Sequence, residues 1–228
     1  MSINKAVNTL SRKLRTCIAL TSEHRWRQYY WEQRNSKWYQ KMRSLGCDFS
    51  KTSCEELGLN SEVGNEHCAS AGPELEQVIG FLHISKPRGI VDYGCGKGAA
   101  LAVIAKHPFA RILGIDISPE MIKVAQSNLQ LLGINNVSFY CGDASKYSNL
   151  SDYSHFYFFN PFPEKIMRVV IDRILASRIY PGLSTIIYHN PVQHSVVLER
   201  GAFKLQKVLR YSTKPFNIYT AGRYNLNE

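Results

Sequence analysis

Hydrophobic and polar positions along the chain alternate between two periods. Apolar residues recur at helical spacing over residues 2–20 (Ile3, Val7, Leu10, Leu14, Ile18) and again around Leu75, Val78, Ile79 and Leu82. From residue 90 onward, short apolar runs bounded by turn formers alternate with helical patterns. The runs predict strands at Ile90–Asp92, Arg111–Asp116, Val137–Cys141, His155–Asn160 and Ser184–His189, with helices at Ala99–Lys106, Pro119–Leu132 and Glu164–Ser177. Alternation of this kind builds a doubly wound, mostly parallel α/β sheet. Two further strands, Phe203–Tyr211 and Phe216–Arg223, are joined by only a few residues. A parallel crossover needs about a dozen or more, so these two pair antiparallel and bring the sheet to seven strands.

The N-terminal third reads differently. A second helix is expected over residues 22–45, capped at Thr21 or Ser22, with Trp31, Trp38, Met42 and Leu45 on one stripe. Residues 46–72 are rich in turn formers and read as a linker or a mobile loop beside the site. Pro73 opens the next helix, with Glu74 and Glu76 near its positive end. The expected organisation is therefore a basic, aromatic helical extension and linker over 1–72, covering the substrate or binding a partner, and an α/β core over 73–228.

Charge sharpens that division. The 228 residues carry a net charge of +10, and the first fifty hold ten basic and three acidic side chains, a net +7. Such asymmetry suggests an anionic partner, although a solvated basic face is the commoner outcome. The helix at 2–20 is basic and amphipathic, and three readings apply: packing on its own domain, lying on an anionic membrane surface, or serving as a transit segment, since no acid precedes Glu23. Aromatic residues interleaved with bases at 26–43 suit core contact with a neighbouring domain better than nucleic-acid stacking. No apolar run approaches the roughly 20 residues of a membrane span. Six cysteines without a C-x-x-C pair read as reduced thiols, which suits a cytoplasmic protein. Cys47, Cys54, His67 and Cys68 have zinc-binding atoms but irregular spacing, and no metal is expected.

The chemistry centres on Asp92-Tyr93-Gly94-Cys95-Gly96-Lys97-Gly98, where a strand meets a helix through three alternate glycines. Glycine lets a ligand approach the backbone closely. The loop alone fits two ligand families: Gly94-x-Gly96-x-x-Ala99 suits a dinucleotide, and Asp92-x-Gly94-x-Gly96-x-Gly98 suits a nucleoside such as S-adenosylmethionine. Within the loop Lys97 is expected to face solvent. Three more features fall at strand ends, where open α/β sheets bind ligands. Asp116, 22 residues beyond Gly94, can accept hydrogen bonds from ribose hydroxyls. Gly142-Asp143-Ala144 follows the third strand and Phe159-Asn160-Pro161-Phe162-Pro163 the fourth. Simpler readings stand beside these: a plain turn at Gly142-Asp143, a helix cap at Asp116, and a rigid strand-ending corner at Asn160.

The ordered set resembles the core of class I S-adenosylmethionine-dependent methyltransferases over about residues 73–228. That resemblance implies S-adenosyl-L-methionine as cofactor. It places the methionine part against Asp92 and the backbone of Tyr93, Gly94, Cys95, Gly96 and Gly98, the ribose at Asp116 with Ile117 beside it, and the adenine edge at Asp143 and the Ala144 N–H. Asn160-Pro161-Phe162 is similar to the Asn-Pro-Pro-aromatic motif of amino-methylating enzymes, in which the asparagine orients the target amine. Here Phe and Pro occupy its last two positions. Asn160 and Phe162 are thus the candidate reaction residues, with Asn160 also at the cofactor. His189, in a second such corner (Tyr188-His189-Asn190-Pro191), is the candidate general base. Nitrogen is the favoured acceptor atom, carried by a small molecule or a protein side chain rather than a nucleic acid. The alternatives are a non-catalytic cofactor- or partner-binding module of the same fold, and an NAD(P)-dependent oxidoreductase.

Overall fold

The computed structural model describes residues 36–53, 55–57, 72–82, 84, 88–177, 183–211 and 214–222. The expected helix at 2–20, most of the expected helix at 22–45 with its caps, and Cys54, His67 and Cys68 lie outside the described residues.

Seven strands form one sheet: β1 Gly89–Tyr93, β2 Ile112–Asp116, β3 Val137–Cys141, β4 Tyr153–Phe159, β5 Ser184–His189, β6 Lys204–Leu209 and β7 Phe216–Ala221. Their spatial order is β3-β2-β1-β4-β5-β7-β6. The first five pair in parallel, and β7 inserts antiparallel between β5 and β6. The order reverses beside β1, whose neighbours are β2 and β4, so a crevice opens at the C-terminal ends of these strands.

Helices cover both faces. On one lie α1 Lys37–Ser44, α2 Pro73–Phe81, α3 Ala99–Ile104 and α4 Pro119–Leu131, packed through Leu75, Val78, Leu101, Ile104, Ile122 and Leu129 onto Ile90, Ile112 and Ile187. On the other lie α5 Glu164–Ala176 and α6 His194–Leu198, packed through Met167, Val170, Ile171, Ile174, Val196 and Val197 onto Val91, Leu113, Phe156, Phe158 and Ile186. All five residues of β1 and all six of α3 are buried, as the central strand and helix of a three-layer molecule must be. The start of α4 has a local cause. Ser118 caps α4 by accepting from the Met121 N–H, with Pro119 at the first helical position.

The N-terminal segment departs from its sequence reading in two ways. Ser36 has extended backbone and accepts from the Tyr39 N–H, so α1 starts afresh at Lys37 rather than continuing an uninterrupted helix from residue 22. Within α1, Tyr39 and Met42 are buried and Trp38 stacks on buried Phe49 with ring centroids 5.5 Å apart, whereas Leu45 stays exposed. The stretch read as a linker is fixed at its start. Asp48 and Asn128 exchange two hydrogen bonds of 2.8 Å, which is strand-like pairing made by one side chain. Among the described residues, no helix is long and apolar enough to cross a membrane.

Candidate functional site

The glycine loop runs from the end of β1 to α3. Gly94, Gly96 and Gly98 have φ of 73°, 51° and 81°, the left-handed region that side chains disfavour. At Gly94 the close approach matters as much as the angle: a Cβ there would lie 2.6 Å from Pro161 Cβ. The loop after β1 and the Asn160-Pro161 corner after β4 are therefore in contact.

Four N–H groups of the loop are committed inside the protein. Those of Gly94 and Cys95 both reach Ile115 O at 2.9 Å, that of Gly98 reaches Cys95 O at 2.9 Å, and that of Gly96 reaches Asp116 Oδ2 at 2.8 Å. The second oxygen of Asp116 accepts the Ser118 N–H at 3.0 Å. Beneath lies Asp92, 2% exposed, whose Oδ2 finds no hydrogen-bond donor among the described residues. Burial, helped by the charge of Asp116, raises its pKa to about 8. Burial likewise raises the pKa of Asp116, against the hydrogen bonds it accepts from Ser118 and Gly96. Two carboxyls beside a loop with few free N–H groups make a poor pyrophosphate cradle. They suit a ligand bearing a cation and hydroxyl donors, and the orphaned Asp92 oxygen is placed to take an ammonium.

The third corner follows β3. Asp143 accepts from the Ser145 N–H at 2.9 Å and from its hydroxyl at 2.7 Å, starting a 3₁₀ turn over Ala144–Lys146. These bonds outweigh its partial burial and hold its carboxyl below the usual range, the Ser145 hydroxyl contributing most. Ala144 is buried at the head of the turn, where an N–H has no partner within the turn itself. The Gly142 N–H reaches Asp116 O at 2.8 Å, so the β2 and β3 corners also touch. Ile117 is half-buried on their rim.

At the fourth corner Asn160 has φ 45°, and its Oδ1 accepts the Tyr188 hydroxyl at 3.4 Å. Asp92, Gly94, Gly96, Gly98, Asp116, Ile117, Asp143, Ala144 and Asn160 thus gather at the C-terminal ends of β1 to β4, in corners that touch one another.

Phe162 and His189 have other duties than the ones expected, and the side chains of Tyr93 and Cys95, expected to act through their backbone, are packed inside. Phe162 is buried edge-on against Tyr93, 6.3 Å between centroids, in the core beneath α5, so it packs the sheet rather than lining the crevice. Tyr93 points to the same face and stacks on Phe158 at 5.0 Å. Cys95 is buried and its thiol is held neutral by desolvation, which leaves it a packing residue. His189 is sandwiched between Phe159 and Phe216, at 4.4 and 3.9 Å. Burial, with the nearby Lys214 charge, pushes its pKa down to about 3, so it is a neutral core imidazole and a poor proton acceptor.

Lys97 is the residue most at odds with its sequence reading. Instead of facing solvent it is 6% exposed, and its ammonium donates to Asp48 Oδ2 and Ser50 Oγ, both at 2.8 Å. Asn128 completes the arrangement by donating to Lys97 O at 2.9 Å. One available signal was Asn128 itself, a polar residue on the apolar stripe of α4.

The fold is Rossmann-like, with the seven-stranded sheet, β7 antiparallel between β5 and β6, of class I methyltransferases. Residues 84–177 match the family model described as a methyltransferase domain. The matched stretch runs from just before β1 to the end of α5 and holds the glycine loop and the corners after β2, β3 and β4. Its similarities are local. Ajmaline N-methyltransferase from Rauvolfia serpentina is 43% identical over 93 residues, 38% of this chain and 32% of that protein. The 23S rRNA (uracil(1939)-C(5))-methyltransferase RlmD of Shewanella amazonensis is 33% identical over 90 residues, 40% of this chain and 18% of that protein. The chain thus matches about a third or less of the length of these curated relatives. An RNA methyltransferase from Salinibacter ruber, solved with S-adenosyl-L-homocysteine, shares the fold with a TM-score of 0.53 at 18% identity, covering 70% of this chain and 99% of that one.

Proposed function

We propose that this protein transfers a methyl group from S-adenosylmethionine to an amine nitrogen. The observation that carries the cofactor is the buried Asp92 oxygen that finds no donor among the described residues, set beneath a glycine loop four of whose N–H groups are already used. In this reading Asp92 takes the ammonium of the methionine part, Asp116 takes the ribose hydroxyls on its free lone pairs, and Asp143 with the Ala144 N–H reads the adenine edge. S-Adenosylmethionine supplies a methyl group already activated on a sulfonium. The protein's own task is to place the acceptor in line with it and keep water out.

Nitrogen is supported by Asn160. Its amide oxygen is steadied by the Tyr188 hydroxyl, in the corner whose Pro161 touches the glycine loop, and would accept a hydrogen bond from the acceptor's N–H, turning the nitrogen lone pair toward the methyl group. The N-methyl transfer named for the Rauvolfia relative is in keeping with this, whereas the Shewanella relative is named for carbon in rRNA. The acceptor is taken to be a small molecule or protein side chain, and the basic segment before residue 36 its cover or recognition arm.

Calorimetric titration with S-adenosylmethionine, S-adenosylhomocysteine, NAD and NADP tests the cofactor. The first two are expected to bind and to raise the melting temperature. Binding of NAD or NADP alone would overturn the reading. Asp116→Ala should weaken S-adenosylhomocysteine binding about 10-fold or more, the loss of hydrogen bonds to a charged acceptor. Asn160→Ala should leave that affinity within about twofold and lower turnover by about 10²-fold, the scale of a lost orienting group; equal turnover would make Asn160 a turn residue only.

A further inference from the structure

Beside the Asn160 corner the sheet builds a second one of the same design. Phe159-Asn160-Pro161 ends β4 and His189-Asn190-Pro191 ends β5. Phe159 and His189 are register partners in this parallel pair, so the two asparagines leave adjacent strands at the same level. Asn160 and Asn190, with φ of 45° and 50°, are the only non-glycine residues with positive φ among the described residues. Backbone held in this region is a strain that asparagine tolerates and that concentrates at functional sites.

The two corners are wired together. The Gln193 N–H, in the turn that Asn190 opens, donates to the Tyr188 hydroxyl at 3.2 Å, and that hydroxyl donates to Asn160 Oδ1. The backbone of Asn190 is satisfied: its N–H reaches Pro215 O at 2.9 Å and its carbonyl accepts the Val192 N–H at 2.8 Å. Its side chain is not. Asn190 Nδ2 is buried and finds no acceptor among the described residues. The residue as a whole is partly exposed, and a turn about its soft terminal torsion exchanges the places of its amide oxygen and nitrogen. Val192 next to it is 60% exposed and supplies an apolar rim.

We propose that Asn190 is a second acceptor-orienting residue, whose side-chain amide donates to a carbonyl or carboxylate oxygen that the methyl acceptor carries beside its target amine. Asn160 would hold the amine and Asn190 the neighbouring oxygen, two points that fix the molecule's rotation in the crevice. The inference rests on the methyl-transfer reading of the same crevice.

Glycine separates backbone from side chain here, because Asn190→Gly keeps the left-handed turn without strain and removes only the amide. Asn190→Asp keeps the shape and the turn but replaces the donor with an acceptor. Both variants are compared with wild type and Asn160→Ala by melting temperature, S-adenosylhomocysteine affinity, and transfer of tritiated methyl from S-adenosylmethionine to the cell-extract fraction that the wild type labels, titrated to saturation. The expected result for both Asn190 variants is an unchanged melting temperature, unchanged S-adenosylhomocysteine affinity, and about a 10-fold rise in the half-saturating amount of extract, the cost of an unpaired polar contact. Wild-type saturation in Asn190→Gly, with Asn160→Ala impaired, would overturn the role of Asn190 while leaving the methyl-transfer reading intact. Absence of labelling by the wild type across all fractions would overturn both.

Discussion

Asp92 is a buried carboxyl at the end of β1, one of whose oxygens is reached by no donor among the described residues. Its folded pKa of about 8 lies above the ordinary carboxylate value, so its proton favours the folded state below about pH 4, and that contribution is lost as the pH rises through about 8. Asp92→Asn mimics the protonated form at every pH. The variant's melting temperature relative to wild type should therefore climb from pH 5 to pH 9, while its S-adenosylhomocysteine affinity falls about 10-fold or more. A flat melting difference would mean that Asp92 is ionised and paired in the folded state. His189 has the opposite sign. Its pKa is held near 3, below the ordinary value, so its contribution is present above about pH 6.5 and lost as the pH falls toward 3. His189→Phe should gain stability relative to wild type as the pH drops from 7 to 4 and leave transfer intact at pH 8. A loss of transfer at pH 8 with normal S-adenosylhomocysteine binding would restore the imidazole as a reacting group.

At the scale of elements, the clamp between residues 46–50, the glycine loop and α4 is the main addition to a methyltransferase-type sheet. Lys97 is buried while the Asp48 carboxylate is half-exposed, so the cost of breaking the pair falls mostly on the lysine. Lys97→Met keeps the stem and removes the charge. It should destabilise the protein by about 1–3 kcal/mol, lowering the melting temperature by roughly 3–10 °C. Asp48→Asn added to it should cost less than the two separate losses combined, because both remove one interaction. Additive losses would show that the pair is not coupled. This clamp was not legible in the sequence, since Asp48 and Lys97 lie 49 residues apart and a lysine in a glycine loop gives no sign of burial. The strands were legible because each is a short apolar run closed by turn formers, and β3 and β5 fall on their expected bounds. Helix α6, five residues long, is too short to show a period. Of the crevice, the residues fixed by backbone pattern were readable: the glycines, Asp116 and Asn160. Phe162 was harder to place because the turn after β4 breaks the alternation that decides which face a side chain takes, and the stacking of His189 between Phe159 and Phe216 depends on strand neighbours that the sequence does not print.

For the molecule as a whole, charge and shape pull the acceptor question in different directions. A net charge of +10, with most of the excess in the first fifty residues, attracts any polyanion in low salt. Among the described residues, by contrast, the proposed cofactor corner carries Asp143, whose carboxyl is held below the usual range by Ser145 and so would repel phosphate there, while burial keeps Asp92 neutral up to about pH 8. If the basic segment only collects anions, RNA binding should exist but remain separate from methyl transfer. Two measurements on the full chain tell these apart. Binding of a mixed RNA should weaken steeply between about 50 and 200 mM salt, as release of counterions from phosphates requires. Label transferred from tritiated S-adenosylmethionine to cell extract should survive ribonuclease and remain with protein or pass a small-molecule filter. Label destroyed by ribonuclease would instead identify the basic segment as the arm that brings a nucleic-acid acceptor to Asn160, and the Asp143 carboxylate as the device that admits only an unstacked base while holding its phosphates outside.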